Sequence, residues 1–267
     1  MDYDSYKNLI VEKKNHIATI TFNRPDKFNI LDAVTKEELN HVLETIPEDD
    51  DVRVVILTGA GQTFSAGSDI SGIKKRLDEG MNADEAKKIQ MEAIKVVDLL
   101  VNLPQPIIAA VNGDCVTLAG TIALCCDIII ADENARFGDL HVRGGLVAGD
   151  GGCAIWPLLL PLVKAKEYLL TGKLFDAKEA ESIGLINKAV PTEDFWPTVN
   201  DFAKQLLAGA PQAVRYTKMS LNRILRDRVN LLLDHSIAVE MLTMFSEDHM
   251  EGIKAFLEKR KPVWRNR

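Results

Sequence analysis

The residues that could do chemistry in this 267-residue chain gather between Pro106 and Gly152. Ile107 to Val111 is an apolar run with the length and composition of a buried strand, and Asn112-Gly113 stops it. Thr117 then opens an apolar, small-residue segment of helical length, Leu118 to Cys126, and Asp127 to Ala131 returns to a strand-like Ile-Ile-Ile. A strand, a tight turn and a helix N-terminus in that order leave backbone N–H groups unspent at the turn, where a developing negative charge would be stabilised. His141 follows ten residues past the second strand, and Asp150 nine residues later. An anion site with an imidazole and a carboxylate close behind it is the equipment of enolate or tetrahedral-oxyanion chemistry.

The rest of the chain must hold that stretch in place. His16 to Phe22 alternates, after Leu9-Ile10-Val11, so residues 8–23 predict a strand pair. Thr35-x-x-Glu38 has capping-box spacing, and Leu39, Val42, Leu43 and Ile46 line one face of the helix it would start. Val52 to Leu57 shows little alternation, which predicts a strand buried on both sides. Phe64 to Ile70 is a second small-residue turn aimed at a helix, and Ala86 to Leu103 carries a helical apolar stripe. Leu158 to Leu170 and Ala177 to Ile183 predict helices, Gly184 to Val190 a short strand, and from Phe195 onward the pattern is helical. The expected class is α/β, a stack of strand–turn–helix units over roughly 190 residues with a helical tail of about 70. As domains, this divides into a core over 1–194 and a helical region over 195–267.

Composition narrows the function. The net charge of −7 opposes nucleic acid and anionic membranes as bulk partners. The cysteines Cys115, Cys125, Cys126 and Cys153 lack metal-ligand spacing and read as small buried residues in a reducing compartment. The polar start MDYDSYKNL does not read as a signal peptide and no apolar run approaches 18 residues, so a cytoplasmic protein is expected.

In order and spacing, NRPDKFNIL (23–31), FSAGSDI (64–70), PIIAAVNG (106–113), ALCCDIIIA (123–131), ARFG (135–138), AKEAESIGLIN (177–187) and FLEKRKPVW (256–264) make the chain resemble the crotonase, or enoyl-CoA hydratase/isomerase, superfamily. The resemblance covers nearly the whole chain. It implies a crotonase-like spiral of ββα turns with a helical C-terminal oligomerisation region, as a homotrimer or dimer of trimers. It also implies an acyl-CoA substrate whose thioester carbonyl sits between two backbone N–H groups, here Ser68 and Leu118. Coenzyme A would arrive as part of the substrate, with no separate cofactor and no metal.

Two departures from the family pattern shape the expectation. The family's triple-glycine loop is Thr117-Leu118-Ala119 here, and the bulk of Leu118 is expected to narrow or reshape the acyl pocket. The two glutamates that hydratases of the family use are replaced by Thr121 and His141. Thr121 takes no proton at neutral pH, whereas an imidazole is poised for it, and Asp150 is the nearest carboxylate to orient it, unless it only caps a helix. The resemblance further implies contacts to substrate or CoA from Arg24, Lys27, Ala66, Asp69, Ile70, Thr121 and Lys259. Asp69 is expected to pin its turn without transferring protons. Glu240, Glu247, Asp248 and His249 lie on late helices, and the sequence does not choose among them.

The His141-Asp150 motif resembles the branch of the superfamily that hydrolyses β-diketones. Hydrolytic retro-Claisen cleavage of an acyl-CoA or β-dicarbonyl substrate through an enolate, with His141 and Asp150 activating water, is therefore the leading expectation. Enoyl-CoA hydration or isomerisation with His141 as acid/base is the alternative, and a non-catalytic CoA-binding scaffold is a second.

Overall fold

The computed structural model describes residues 6–267. In chain order the elements are β1 (Leu9–Lys14), β2 (Ile17–Phe22), α1 (Ala33–Thr45), β3 (Val54–Gly59), β4 (Thr63–Ser65), α2 (Ile70–Asp78) and α3 (Ala83–Asn102). There follow β5 (Ile107–Val111), β6 (Asp114–Val116), α4 (Leu118–Leu124), β7 (Ile128–Asp132), β8 (Arg136–Gly138), α5 (Gly152–Leu159) and α6 (Leu162–Thr171). Then come β9 (Phe175–Asp176), α7 (Ala177–Ser182), β10 (Lys188–Val190), α8 (Thr192–Ala208), α9 (Pro211–Met244) and α10 (Glu247–Leu257).

Two sheets share the strands. One has the order β1-β2-β3-β5-β7-β10, the other β4-β6-β8-β9. Three successive turns, β3-β4, β5-β6 and β7-β8, each lay one strand in the larger sheet and the next in the smaller before a helix, which is the expected ββα spiral. The register fixes the stacking: Ile17 lies beside Val54, Val55 beside Ile107, and Ile108 beside Ile128, all parallel. β3 is buried along its whole length, as its lack of alternation predicts. Val55 and Leu57 face the main core, while Val54 and Ile56 face α8 through Phe195, Val199 and Ala203. Val229, Leu233 and Ile237 of α9 also enter the main core, so the C-terminal helices pack on the spiral itself.

Local chemistry corrects several boundaries. Asp32, not Thr35, caps α1, its carboxylate accepting the Thr35 N–H. Glu38 instead accepts the backbone N–H groups of Lys7 and Asn8 and ties the chain start to α1. The helix expected over 158–170 is two helices, because Pro161 offers no N–H and leaves Leu160 extended. The strand expected from Gly184 begins only at Lys188, since Gly184 takes φ +81° in a turn. Lys218 is buried on α9 and pairs with Asp127 at 2.7 Å, which pins the long helix to the start of β7. All four cysteines are free thiols, three of them buried. Among the described residues, no helix is long and apolar enough to cross a membrane.

Candidate active site

Two turns meet at the open ends of β4 and β6. A side chain on Gly67, which takes φ +80°, would run into the Thr117 hydroxyl and, at 2.8 Å, the Val116 carbonyl. The residues next along the chain from this contact are Ser68 and Leu118. Among the described residues no backbone acceptor takes the amide of either. Leu118 is the first residue of α4, so its N–H lies beyond the reach of intrahelical bonding. Thr117 reaches this geometry at φ 52°, ψ −127°, a conformation suited to glycine that costs a β-branched residue about 1–3 kcal/mol. Leu118 itself packs into the main core at 3 % exposure. Thr117 and Ser68 are both partly exposed at this junction.

One helical turn past Leu118, the buried Thr121 hydroxyl donates to Asp150 Oδ1 at 3.1 Å. The other oxygen, Asp150 Oδ2, stands 3.3 Å from His141 Nε2. On the far side of the ring, His141 Nδ1 lies 2.6 Å from Asp139 Oδ1, which also accepts the His141 backbone N–H at 3.2 Å. All three side chains are buried, His141 at 7 % exposure, Asp150 at 5 % and Asp139 at 2 %. Asp139, absent from the sequence reading, is thus the nearer partner and fixes the ring; Asp150 faces the opposite nitrogen. Asp150 does not cap α5, whose N-cap is Gly151. Burial alone would drive His141 toward its neutral form, but the charges of Asp139 and Asp150 outweigh it and hold the imidazolium well above the ordinary histidine range.

Ligand-type atoms of Asp139, His141 and Asp150 lie within 4.8 Å of one another. The carboxylates flank opposite nitrogens of one ring, however, and the free oxygen Asp139 Oδ2 is turned onto the backbone of Gly152, as the crowding of a Cβ there shows. That geometry lets the ring share a proton with a carboxylate at either nitrogen.

The C-terminal helices complete the site. Ser236 donates to Gly149 O at 2.8 Å, and Thr243 accepts the Val147 N–H at 3.2 Å. Between them Glu240 presses on Gly149, its Oε2 2.6 Å from where a Cβ would sit. Residues 236, 240 and 243 form one helical stripe that clamps the loop joining His141 to Asp150. Burial pushes the Glu240 carboxyl up to about 8, with His141 opposing and Asp150 and Asp139 adding to the rise. Of the four late-helix candidates, Glu240 and His249 are buried, whereas Asp248 accepts the Arg265 and Asn266 N–H groups and Glu247 pairs with Arg267. A polar stripe on a buried helix face was the available sequence signal for this clamp.

Of the other expected contact residues, Ala66, Asp69 and Ile70 lie within two residues of Ser68 in the chain. The Asp69 carboxylate accepts the Gly72 N–H at 3.0 Å and caps α2, of which Ile70 is the first residue. The Ala66 N–H donates to Phe28 O at 3.0 Å, which joins the 23–31 segment to the first turn. Arg24 is held by Asp32. Lys27 and Lys259 are exposed, on opposite ends of the chain.

Comparison with known proteins agrees with this architecture. A short-chain-enoyl-CoA hydratase of Clostridium acetobutylicum is 37% identical over 255 residues, covering 95% of this chain and 96% of that one. A crotonyl-CoA hydratase of Syntrophomonas wolfei is 34% identical, covering 96% and 97%. An enoyl-CoA hydratase/isomerase from Mycobacterium paratuberculosis superposes with a TM-score of 0.88 at 33% identity, over 94% of this chain and 99% of that one. The model of the enoyl-CoA hydratase/isomerase family matches residues 12–267, from the first strand through the helices that clamp the His141–Asp150 loop. With the spiral, the paired turns and the whole matched length in accord, the chain belongs to that family and is an enzyme of the crotonase superfamily.

Proposed function

We propose that the enzyme adds water across the double bond of a short-chain enoyl-CoA, with the His141–Asp150 pair carrying the proton. The observation that carries this reading is the 3.3 Å approach of His141 Nε2 to Asp150 Oδ2, buried and tied by the Thr121 hydroxyl to α4 one helical turn past Leu118. The Ser68 and Leu118 amides donate to the thioester oxygen and stabilise the enolate as it forms. Two such donors are worth several kcal/mol, roughly 3–4 each when removed. Asp150, its Oδ1 held by the Thr121 hydroxyl and its Oδ2 facing His141, takes a proton from water as the hydroxyl bonds to Cβ. The π electrons move onto the thioester oxygen, and the proton returns from the pair to Cα. Asp139 keeps the ring aligned and charged. The names of the hydratases of Clostridium acetobutylicum and Syntrophomonas wolfei support the choice of substrate class. Exposed apolar side chains along α9, among them Leu221, Ile224, Leu231 and Leu242, support contacts between subunits.

A second reading keeps the same groups. Thr121 supplies no carboxylate, and an imidazole–carboxylate pair suits attack of water on a carbonyl, so hydrolytic C–C cleavage of a β-dicarbonyl acyl-CoA fits the site as well. The products separate the two. In water enriched with heavy oxygen, hydration places the label in a β-hydroxyl and hydrolysis places it in a carboxylate. Loss of the enoyl-thioester absorbance with short-chain enoyl-CoA, abolished in His141→Ala and Asp150→Asn, is the expected result; label in a carboxylate overturns the hydratase reading.

A further inference from the structure

The 141–144 segment is a single 3-10 turn, too short to hold itself in place. Its exit carbonyl, Gly144 O, lies 2.7 Å from His249 Nδ1 on α10. A carbonyl can only accept, so Nδ1 carries the hydrogen. The approach is close on both sides: a Cβ on Gly252 would stand 2.6 Å from Gly144 O, and one on Gly145 would stand 2.9 Å from both Asp248 O and His249 N. Glycines at the meeting points let the first turns of α10 rest on the backbone of the turn that carries His141. His249 is 3 % exposed, and its Nε2 is buried with no partner. A second proton there would be an unpaired buried cation. Burial first, and then the charge of His141, hold this ring below the ordinary histidine range, against the Gly144 bond.

We propose that His249 is a positioning residue for the reaction, setting the place of the His141 ring through one Nδ1–H···O=C bond to Gly144. The inference rests on His141 being a proton carrier of the site. Other groups tie the same loop further along: Thr243 at Val147 and Ser236 at Gly149. His249 acts at the end nearest the imidazole, where a shift of the turn changes both the Asp139 and the Asp150 distances at once. Orientation errors of this size cost rate and not binding.

The test compares His249→Leu, which fills the space without a donor, with His249→Asn, whose amide N–H takes the position of Nδ1. Each is assayed with a straight-chain short enoyl-CoA, and the ring nitrogens of histidine-labelled protein are followed by NMR without substrate. Expected is a kcat loss of about 10- to 100-fold in His249→Leu with KM within about threefold, and recovery to within about fivefold of wild type in His249→Asn. The His141 ring signals should move in the leucine variant and stay in the asparagine variant. An unchanged kcat and His141 spectrum in His249→Leu overturns the proposal. So does equal impairment of both variants, or failure of both to fold, either of which makes the role structural. If the wild-type enzyme turns over no enoyl-CoA, the hydratase reading fails alone, and the NMR comparison still decides the positioning role.

Discussion

The paired turns at Ser68 and Leu118 offer backbone N–H groups, whereas the 139–151 segment offers side chains, and the two regions answer differently to substitution. The first is fixed by the path of the chain: glycine at 67 against Thr117, and the start of α4. Which side chains stand at 68 and 118 matters little to where those hydrogens point. The second depends on four side chains from three stretches, Thr121 on α4, Asp139 and His141 around one turn, and Asp150 at the end of a clamped loop. A backbone site survives drift in sequence, and a side-chain site does not.

The largest expected effect lies in the side-chain region. His141→Ala and Asp150→Asn should each lower kcat by about 10² to 10⁴-fold, measured with short-chain enoyl-CoA, while CoA binding by calorimetry persists. A loss under tenfold in either would make the imidazole–carboxylate pair a bystander.

Asp139→Asn should come next, with a kcat loss on the order of a hundredfold, because an amide neither charges nor correctly orients the ring. The sign of its pH effect follows from His141. Asp139 is the foremost group raising the proton affinity of that ring against burial, so its removal moves the loss of the His141 proton to lower pH. The alkaline limb of the pH–rate profile should therefore shift toward neutrality. An unshifted limb would assign the charge on His141 to Asp150 alone.

The sequence made the first region legible and only part of the second. Small-residue turns before helices, Phe64 to Ile70 and Asn112 to Leu118, announce themselves by composition, because glycine marks the places where the backbone must approach closely. His141 and Asp150 were found by type and spacing. Asp139 carries no such signal, because it lies between β8 and the 3-10 turn at 141–144, where no helical or strand periodicity says which way a side chain turns; there its carboxylate meets the ring two residues on. The burial of Leu118 in the core is likewise a matter of which way one side chain turns at the start of α4, and composition does not report it. The spiral was legible through its motifs and not through periodicity, because β4, β6, β8 and β9 are two or three residues long and carry no pattern. The clamp of α9 on the 144–151 loop brings together residues 87 positions apart at Ser236 and Gly149, a separation no local pattern reports.

Glu240→Gln probes that clamp with a smaller effect. Burial keeps the Glu240 carboxyl protonated to about pH 8, so near neutrality the amide is close to an isostere, and kcat should change less than about fivefold. Stability carries the sign. A carboxyl whose folded value is raised contributes stability that is fully present below its ordinary range near pH 4.5 and is lost as pH rises through about 8. Thermal unfolding of the wild-type enzyme should thus weaken between pH 5 and pH 9, and Glu240→Gln should flatten that decline. A parallel decline in the variant would place the titrating group elsewhere.

The smallest effect should come from Ser68→Ala. The donor proposed at this position is an amide in the strand-to-helix turn, whose neighbours Gly67 and Asp69 hold it by contact with Thr117 and by capping α2. Removing the hydroxyl leaves that N–H where it was, so kcat and KM should stay within about twofold of wild type. A Ser68→Pro variant removes the donor itself and should lose about 10²- to 10³-fold. The contrast between two substitutions at one residue distinguishes a backbone donor from a side-chain one. A tenfold loss in Ser68→Ala would make the serine hydroxyl a working group and erase the difference between the two regions.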